Sequence, residues 1–140
     1  MKKFFNTAVL AAAFVSLLAG CAAPEKRPAK NGELAGTYWK PEKSPRFAYI
    51  EFTDDGRMVG NSGCNRFFGP VVYARGKRIR LGPLAATRNT GPENRYEEHF
   101  FARIEETRGY VLDGDTLTLY NEDRQPVMKL FQLKPHAAKP

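Results

Sequence analysis

The sequence predicts a mainly β (α+β) domain, a small antiparallel β-barrel that is closed or open, with one packed helix. Three observations support this fold class. Short segments alternate apolar and polar residues, turn-forming sequences separate these segments, and one segment repeats an apolar residue at every fourth position. Short strands with one apolar face each must close on themselves or pack as two sheets, and a small barrel is the most economical solution.

The strands are predicted from this alternation and from the turns between them. Ile50 and Phe52 alternate with polar or amphipathic neighbours, which gives that segment one buried face. The sequences at 54–56, 75–77 and 113–115 are turn formers, and connections this short require antiparallel pairing. The predicted strands cover 34–40, 47–53, 57–60, 67–73, 78–84, 109–113, 116–120 and 127–133.

One segment has the period of a helix. Apolar side chains recur every fourth residue from Tyr96 to Ile104, which places them on one face of a helix predicted over 92–106. Thr90 and Glu93 have the spacing of a capping box at its start. The residues expected to face water are Arg95, Glu98, Arg103 and Glu105.

The first 20 residues have the composition of a secretory signal peptide. A basic start precedes an apolar run over 4–19, which is shorter than the roughly 20 apolar residues that a membrane-spanning helix needs. The sequence Leu18-Ala19-Gly20-Cys21 has the form of a bacterial lipobox, in which cleavage before Cys21 leaves its thiol to carry lipid such as palmitate. A lipoprotein is therefore predicted over simple secretion or an uncleaved anchor.

The predicted organisation has four parts: a signal peptide over 1–20, the lipidated Cys21 with a flexible tether over 21–33, one domain over 34–133, and a disordered tail over 134–140. The tether contains prolines and charges but no branched or aromatic residue after Cys21. Such a composition cannot bury enough apolar surface to offset the cost of ordering the backbone.

The chain is basic, with a net charge of +7 and a sequence pI of about 9.6. Export and a lipid anchor favour anionic lipid, lipopolysaccharide or an envelope protein as the partner, and not nucleic acid. Ala22, and not an aspartate, follows Cys21, which predicts an outer-membrane location facing the periplasm.

A glycine-rich segment over 60–69 separates two predicted strands. Glycine and asparagine permit tight turns, and adjacent phenylalanines supply apolar area that must be buried. We interpret the segment as a structural bulge or corner in preference to a ligand-contacting loop. Its motif residues are Gly63, Cys64, Asn65, Arg66, Phe67 and Gly69.

A second candidate is a cluster of cations, called here the basic patch, which consists of Arg75, Lys77, Arg78 and Arg80. Two interpretations remain open. Exposed strand edges commonly carry Lys and Arg for solubility. Alternatively, the basic patch contacts anionic envelope polymers, and that contact would weaken with salt.

No catalytic, metal or cofactor site is predicted. His99 and His136 are the available imidazole bases; His136 lies in the tail, and His99 is expected on the helix surface. Zinc requires several Cys or His ligands, whereas this sequence has two cysteines, of which Cys21 is predicted to carry lipid. Asp113 and Asp115 flank a glycine and are better explained as turn formers than as calcium ligands. The sequence therefore predicts a protein that is not an enzyme.

Several motifs follow one another in a fixed order. They are Gly36-Thr37-x-Trp39, Gly63-Cys64-Asn65-Arg66-Phe67-x-Gly69, Leu84-Ala85-Ala86-Thr87, Glu98-x-x-Phe101 and Tyr110-x-x-x-Gly114-Asp115-x-Leu117-x-Leu119. These motifs follow the predicted lipobox in the sequence. The set resembles the META domain family, which includes HslJ-like heat-shock lipoproteins. The resemblance implies a barrel-like fold of lipocalin-type topology with a helix, an envelope location, and a link to stress response or novobiocin tolerance. It implies no established catalytic residues.

The chain departs from the family at one cysteine. Many members have a Met-Ala-Cys sequence after the threonine that matches Thr87, whereas this chain has Arg88-Asn89-Thr90-Gly91. Cys64 then lacks a disulfide partner. We predict that it is a free thiol that points into the core as a small hydrophobe.

Two classes of function follow. The first is a non-enzymatic outer-membrane lipoprotein that binds an envelope component under stress. The alternative is a pilotin-like accessory lipoprotein that holds an acyl chain or a peptide partner in a cracked barrel. A filled interior would favour the first class, and an elongated apolar cavity the second. A lysozyme inhibitor ranks lower, because a basic protein would be repelled by a basic lysozyme.

Overall fold

The computed structural model describes residues 32–134 and contains nine strands and one α-helix in that range. The elements are β1 Thr37–Pro41, β2 Tyr49–Phe52, β3 Arg57–Asn61, β4 Arg66–Ala74, β5 Arg78–Leu81, β6 Ala85–Ala86, α1 Asn94–Glu106, β7 Gly109–Asp113, β8 Thr116–Tyr120 and β9 Pro126–Leu133. The predicted signal peptide, Cys21 with most of the tether, and the tail from residue 135 lie outside the described residues.

The strands form one antiparallel sheet whose two ends meet. Neighbours follow the order β3-β2-β1-β9-β8-β7-β5-β4, and β3 also pairs with β4, so the sheet forms a ring. β6 is a short additional partner of β4. This architecture confirms the predicted mainly β fold with antiparallel strands and one helix.

The strand pairing around the ring is shortest between β5 and β7. We call this junction the β5–β7 seam. A single pair of opposed residues, Arg78 and Gly109, bridges these strands in the described chain. Hydrogen bonds from the Ile79 N–H to the Arg108 carbonyl and from the Tyr110 N–H to the Lys77 carbonyl, both 3.0 Å, complete the contact. By contrast, β8 and β9 are opposed over most of their lengths.

Apolar side chains fill the inside of the ring. Alternate residues along each strand point inward, so that Trp39, Phe52, Met58 and Leu119 have no exposed surface. The indole Nε1–H of Trp39 donates to the Thr37 hydroxyl at 2.7 Å, so its polar group is satisfied inside the core.

The helix α1 packs the predicted apolar stripe against this core, with Phe100 and Ile104 buried. Arg95, Glu98, Arg103 and Glu105 are exposed, as predicted. The predicted capping box is wrong, because the N-cap residue Glu93 makes no side-chain cap hydrogen bond. Instead, the chain turns just before the helix, where the Gly91 N–H donates to the Asn94 side chain at 3.0 Å.

Two predicted strands differ from the observed bounds by three residues at one end, and the other bounds agree within two residues. The strand predicted over 34–40 begins at Thr37, because residues 32–36 form turns in which Leu34 is buried. The strand predicted over 78–84 ends at Leu81, because Gly82 has a positive φ of 89° and Pro83 has no N–H to donate to a ladder. The chain then forms β6, which the sequence analysis did not predict.

Candidate functional site

The glycine-rich segment forms a hairpin loop over 62–65 that joins β3 to β4. The Ser62 N–H donates to the Asn65 carbonyl at 2.9 Å, directly after the opposed pair Asn61 and Arg66. Gly63 has a φ of +118°, and a Cβ at this position would lie 2.9 Å from the Pro45 side chain. Both facts require glycine here.

Asn65 fixes this loop from inside the protein, with only 2% of its surface exposed. Its Nδ2 donates to the Asn89 carbonyl at 3.0 Å and to the Glu97 carboxylate at 2.7 Å. Its Oδ1 accepts from the Thr87 hydroxyl and from the Asn89 N–H, both at 2.7 Å. Every donor and acceptor position of this buried amide is therefore used.

Glu97 ties the same loop to the helix. It lies in the first turn of α1, where the helix dipole favours a negative charge. Its carboxylate accepts from the fully buried Ser62 hydroxyl and from the Asn65 N–H at 3.2 Å. We call Ser62, Asn65, Thr87, Asn89 and Glu97 the polar node. The sequence analysis missed Glu97, because an acidic residue on a helix gives no sign of a distant loop partner.

The other motif residues also contact parts of the fold. The centre of the Phe67 ring lies 5.2 Å from the centre of the Phe100 ring and 5.8 Å from that of the Phe101 ring. A Cβ at Gly69 would lie 2.6 Å from the Leu84 side chain and from the Pro83 carbonyl. Arg66 is exposed. These contacts are those of a structural corner.

Cys64 is a free thiol, as predicted, but the prediction that it points into the core is wrong. Its side chain is half-buried and points across the loop to 89–91, with Sγ 3.6 Å from the Asn89 carbonyl oxygen. The buried positions on either side of it are taken by Ser62 and Asn65. A Cβ at Gly91 would lie 2.8 Å from Sγ and 3.8 Å from the Cys64 Cβ. Gly91 therefore occupies the position from which a second cysteine would reach Cys64.

The structure brings the members of the basic patch together around the β4–β5 turn, and all four are exposed. Lys77 has a φ of +61°, pairs with Glu33, and lies 5.6 Å from the centre of the Tyr110 ring. Arg78 and Arg80 point outward from β5, whose alternate residues are buried. Within residues 32–134, their side chains make no ion pair or hydrogen bond.

Two tyrosines lie below the turn of the basic patch. The rings of Tyr73 and Tyr110 are 6.5 Å apart and meet edge to face. Burial, together with the negative charge of Glu33, raises the pKa of Tyr73 to about 12. The same two causes raise the pKa of Tyr110. Both phenols are therefore neutral in the folded protein at ordinary pH.

The β5–β7 seam has an open groove on each side. One groove is lined by Arg75, Lys77, Arg78, Tyr110 and Tyr120, and the other by Arg80, Leu81, Leu84, Phe101 and Ile104. Arg108 contributes to both, but its guanidinium donates to the carbonyls of Glu105 at 2.6 Å and Thr107 at 2.8 Å. It thus caps the C-terminal end of the helix.

His99 is exposed on the helix, as predicted. In the part of the chain from 32 to 134, no group of three or more His, Cys, Asp or Glu residues is arranged to hold a metal ion. The same part of the chain contains no helix long and apolar enough to span a membrane.

The fold and the hydrogen-bonded loop define a class: a small antiparallel β domain with one helix, in which the glycine-rich motif fixes the structure. The META domain profile matches residues 32–133. The chain belongs to the META domain family.

Two solved structures resemble this fold, and at these low identities the likeness concerns the fold alone. An NMR structure of a protein from Burkholderia xenovorans has a TM-score of 0.59 at 16% identity and covers 96% of this chain and 99% of its own. A DUF4847 family protein from Bacteroides vulgatus has a TM-score of 0.50 at 19% identity and covers 61% of this chain. This chain spans 58% of the length of that Bacteroides protein. No curated protein matches the chain.

Proposed function

We propose that this META domain protein is a non-enzymatic lipoprotein of the bacterial envelope that binds an anionic envelope component under stress. This component is a lipid headgroup or lipopolysaccharide, and the basic patch contacts it. Cys21 carries the lipid anchor and places the protein at the outer membrane, facing the periplasm. An envelope protein is the other class of partner.

The observation that carries this proposal is the exposure of Arg78 and Arg80 side by side on β5 without counter-ions in the described chain. Two unpaired guanidinium groups on a surface of net positive charge attract phosphate-bearing partners. Glu33 reduces the net charge at Lys77, which makes the two β5 arginines the main contributors.

The filled interior supports this function over the pilotin-like alternative. An acyl chain or peptide held inside the ring would need the space that Trp39, Phe52 and Leu119 occupy. Burying these side chains contributes to stability, so displacing them for a ligand would be costly. A contact on the outer surface needs no such rearrangement.

The test of the surface contact uses the chain from residue 21 with Cys21→Ser, so that no lipid is attached. Its sedimentation with phosphatidylglycerol vesicles is compared with that of Arg78→Glu/Arg80→Glu. We expect the charge reversal to weaken adsorption about tenfold or more, and added salt to weaken the original contact. Arg103→Glu/Lys129→Glu is the matched control, because it changes the net charge equally at two exposed positions on α1 and β9.

The anchor is tested separately by metabolic labelling with palmitate. The original chain should incorporate label and Cys21→Ser should not. Label retained by Cys21→Ser would contradict the anchor.

If the two charge-reversed variants adsorb equally to phosphatidylglycerol, the basic patch is only a solubilising surface.

A further inference from the structure

The outer face of β4 is apolar although it is exposed to solvent. Phe68 and Val72 have 55% and 56% of their surfaces exposed. Strand register places more apolar residues beside them, because Val59 on β3 and Ala85 on β6 are both directly opposite Phe68. We call Val59, Phe68, Pro70, Val72 and Ala85 the β4 face. A contiguous exposed apolar surface of this kind marks an interaction site more often than scattered single residues do.

Arginines border the β4 face on the same side of the sheet. Arg80 lies directly opposite Val72, and Arg78 lies opposite Ala74 at the end of the same strand. Arg66 is exposed at the other end of β4. Neither β4 nor β5 contains an acidic residue. Apolar side chains bordered by cations are the combination that binds the interface of an anionic bilayer, where the apolar groups enter the headgroup region and the cations meet phosphates.

The described chain begins at the end of β4 that carries the basic patch. A Cβ at Gly32 would contact the Tyr73 ring, and Glu33 pairs with Lys77 in the β4–β5 turn. Cys21 precedes Gly32 by eleven residues, which span at most about 36–40 Å when extended. A lipid on Cys21 would therefore keep the β4 face within reach of the membrane that holds the anchor.

We infer that the β4 face lies on the surface of an anionic bilayer, with Phe68 and Val72 inserted between headgroups and with Arg66, Arg78 and Arg80 on lipid phosphates. This inference rests on the proposed envelope function and adds the apolar contact and the orientation to it. It commits to a bilayer as the occupant, because the bordering cations and the reach from Cys21 both point to lipid.

The experiment uses the full chain, produced in a bacterial envelope and reconstituted by its own anchor into vesicles whose acyl chains are brominated. Phe68→Trp places a tryptophan in the β4 face. Phe131→Trp is the matched control, because Phe131 is 40% exposed on β9, which lies four strands from β4 in either direction around the ring. The original Trp39 is fully buried and supplies a constant background.

In vesicles of phosphatidylethanolamine and phosphatidylglycerol, we expect bromine to quench the tryptophan of Phe68→Trp strongly and that of Phe131→Trp little. Equal, weak quenching at both positions would overturn the inference, while adsorption weakened by Arg78→Glu/Arg80→Glu would still support the charge-based function. Quenching at position 68 that is as strong in phosphatidylcholine would support the apolar contact and contradict selectivity for anionic lipid. A dimer through the β4 face, detected by cross-linking at position 68, would overturn the inference in favour of a second copy.

Discussion

The polar node and the β5–β7 seam differ in how many contacts join neighbouring parts of the ring. At the polar node, a hairpin loop, the segment over 87–89 and a helix are held by partly buried hydrogen bonds, and the Asn65 amide has no unused position. At the β5–β7 seam, a single opposed pair joins the strands in the described chain, and exposed cations surround it. The first region uses the polar groups of Asn65 within the fold, whereas the second presents charge to solvent.

This difference separates the family motif from the proposed binding surface. The motif residues determine how the chain turns and packs, so they report on the fold. The arginines of β5 take part in no comparable network within residues 32–134. A function based on them can change without disturbing the fold, and the two regions should respond differently to substitution.

The largest effect is expected at the polar node. Asn65→Ala would leave the Glu97 carboxylate, the Thr87 hydroxyl and two backbone groups of Asn89 without their buried partner. We expect the free energy of unfolding to fall by about 3–4 kcal/mol, since each unmet buried group costs roughly 1–3 kcal/mol and some are reached by water. Urea denaturation of both proteins measures this change.

Asn89→Ala is the control for this prediction, because Asn89 contributes its backbone to the node and its side chain is exposed. We expect a change within about 0.5 kcal/mol. Equal losses for Asn65→Ala and Asn89→Ala would show that the amide of Asn65 is not the centre of the network.

The next effect is a gain in stability at the same end of the molecule. In Gly91→Cys, the new Cβ would lie 3.8 Å from the Cys64 Cβ, the usual separation across a disulfide. We expect the oxidised variant to be more stable than its reduced form by about 3.5 kcal/mol, the value for a loop of this size. Thermal unfolding with and without reductant measures the difference, and two free thiols after oxidation would contradict the geometry.

Two glycines, one near each region, allow the packing of the two regions to be compared. A Cβ at Gly60, close to the hairpin loop, would lie 2.2 Å from the Tyr49 carbonyl oxygen, whereas a Cβ at Gly109, in the β5–β7 seam, would lie 3.5 Å from the nearest atom. Gly60→Ala should therefore cost about 2 kcal/mol through overpacking, and Gly109→Ala should change stability by less than about 0.5 kcal/mol. Similar costs in urea denaturation would mean that both regions are packed to the same density.

The smallest effect concerns pH. The pKa of Tyr73 is raised from 10.0 to about 12 in the folded protein. Above pH 10 the unfolded chain loses this proton before the folded chain does, so the stabilisation present below pH 10 is lost as pH rises towards 12. Tyr73→Phe should make the decline of the urea midpoint with pH less steep. Tyr49→Phe, on β2, controls for the loss of a phenol in general, and identical declines in all three proteins would refute the assignment.

The strands could be predicted wherever alternation and turn chemistry agreed. β7 and β8 have the predicted bounds, because a turn-forming Asp-Gly-Asp sequence separates two alternating segments. β6 was missed, since two alanines carry no period and pair with β4 only after the chain has turned at Gly82 and Pro83.

The polar node could be predicted only in part. Asn65 was recognised as a motif residue, but Glu97 lies 32 residues away and is one of two adjacent glutamates. Which of the two meets the loop depends on the rotation of α1 about its axis, and that rotation is set by the packing of Phe100 and Ile104. The direction of the Cys64 side chain was predicted wrongly for a related reason. That direction depends on the hairpin geometry and not on the hydrophobicity of cysteine.

The attachment of the first described residues also determines how the domain would respond to tension from a membrane anchor. A force on the chain before Gly32 would act first on the ion pair between Glu33 and Lys77 and then on the hydrogen bond of 2.7 Å from the Gly36 N–H to the Phe52 carbonyl. Beyond these contacts, β1 is bonded to β2 on one side and to β9 on the other, so both ladders must open together before the strand is extracted. If the chain is anchored as proposed, the closed ring would resist unfolding by a force applied through the chain before Gly32.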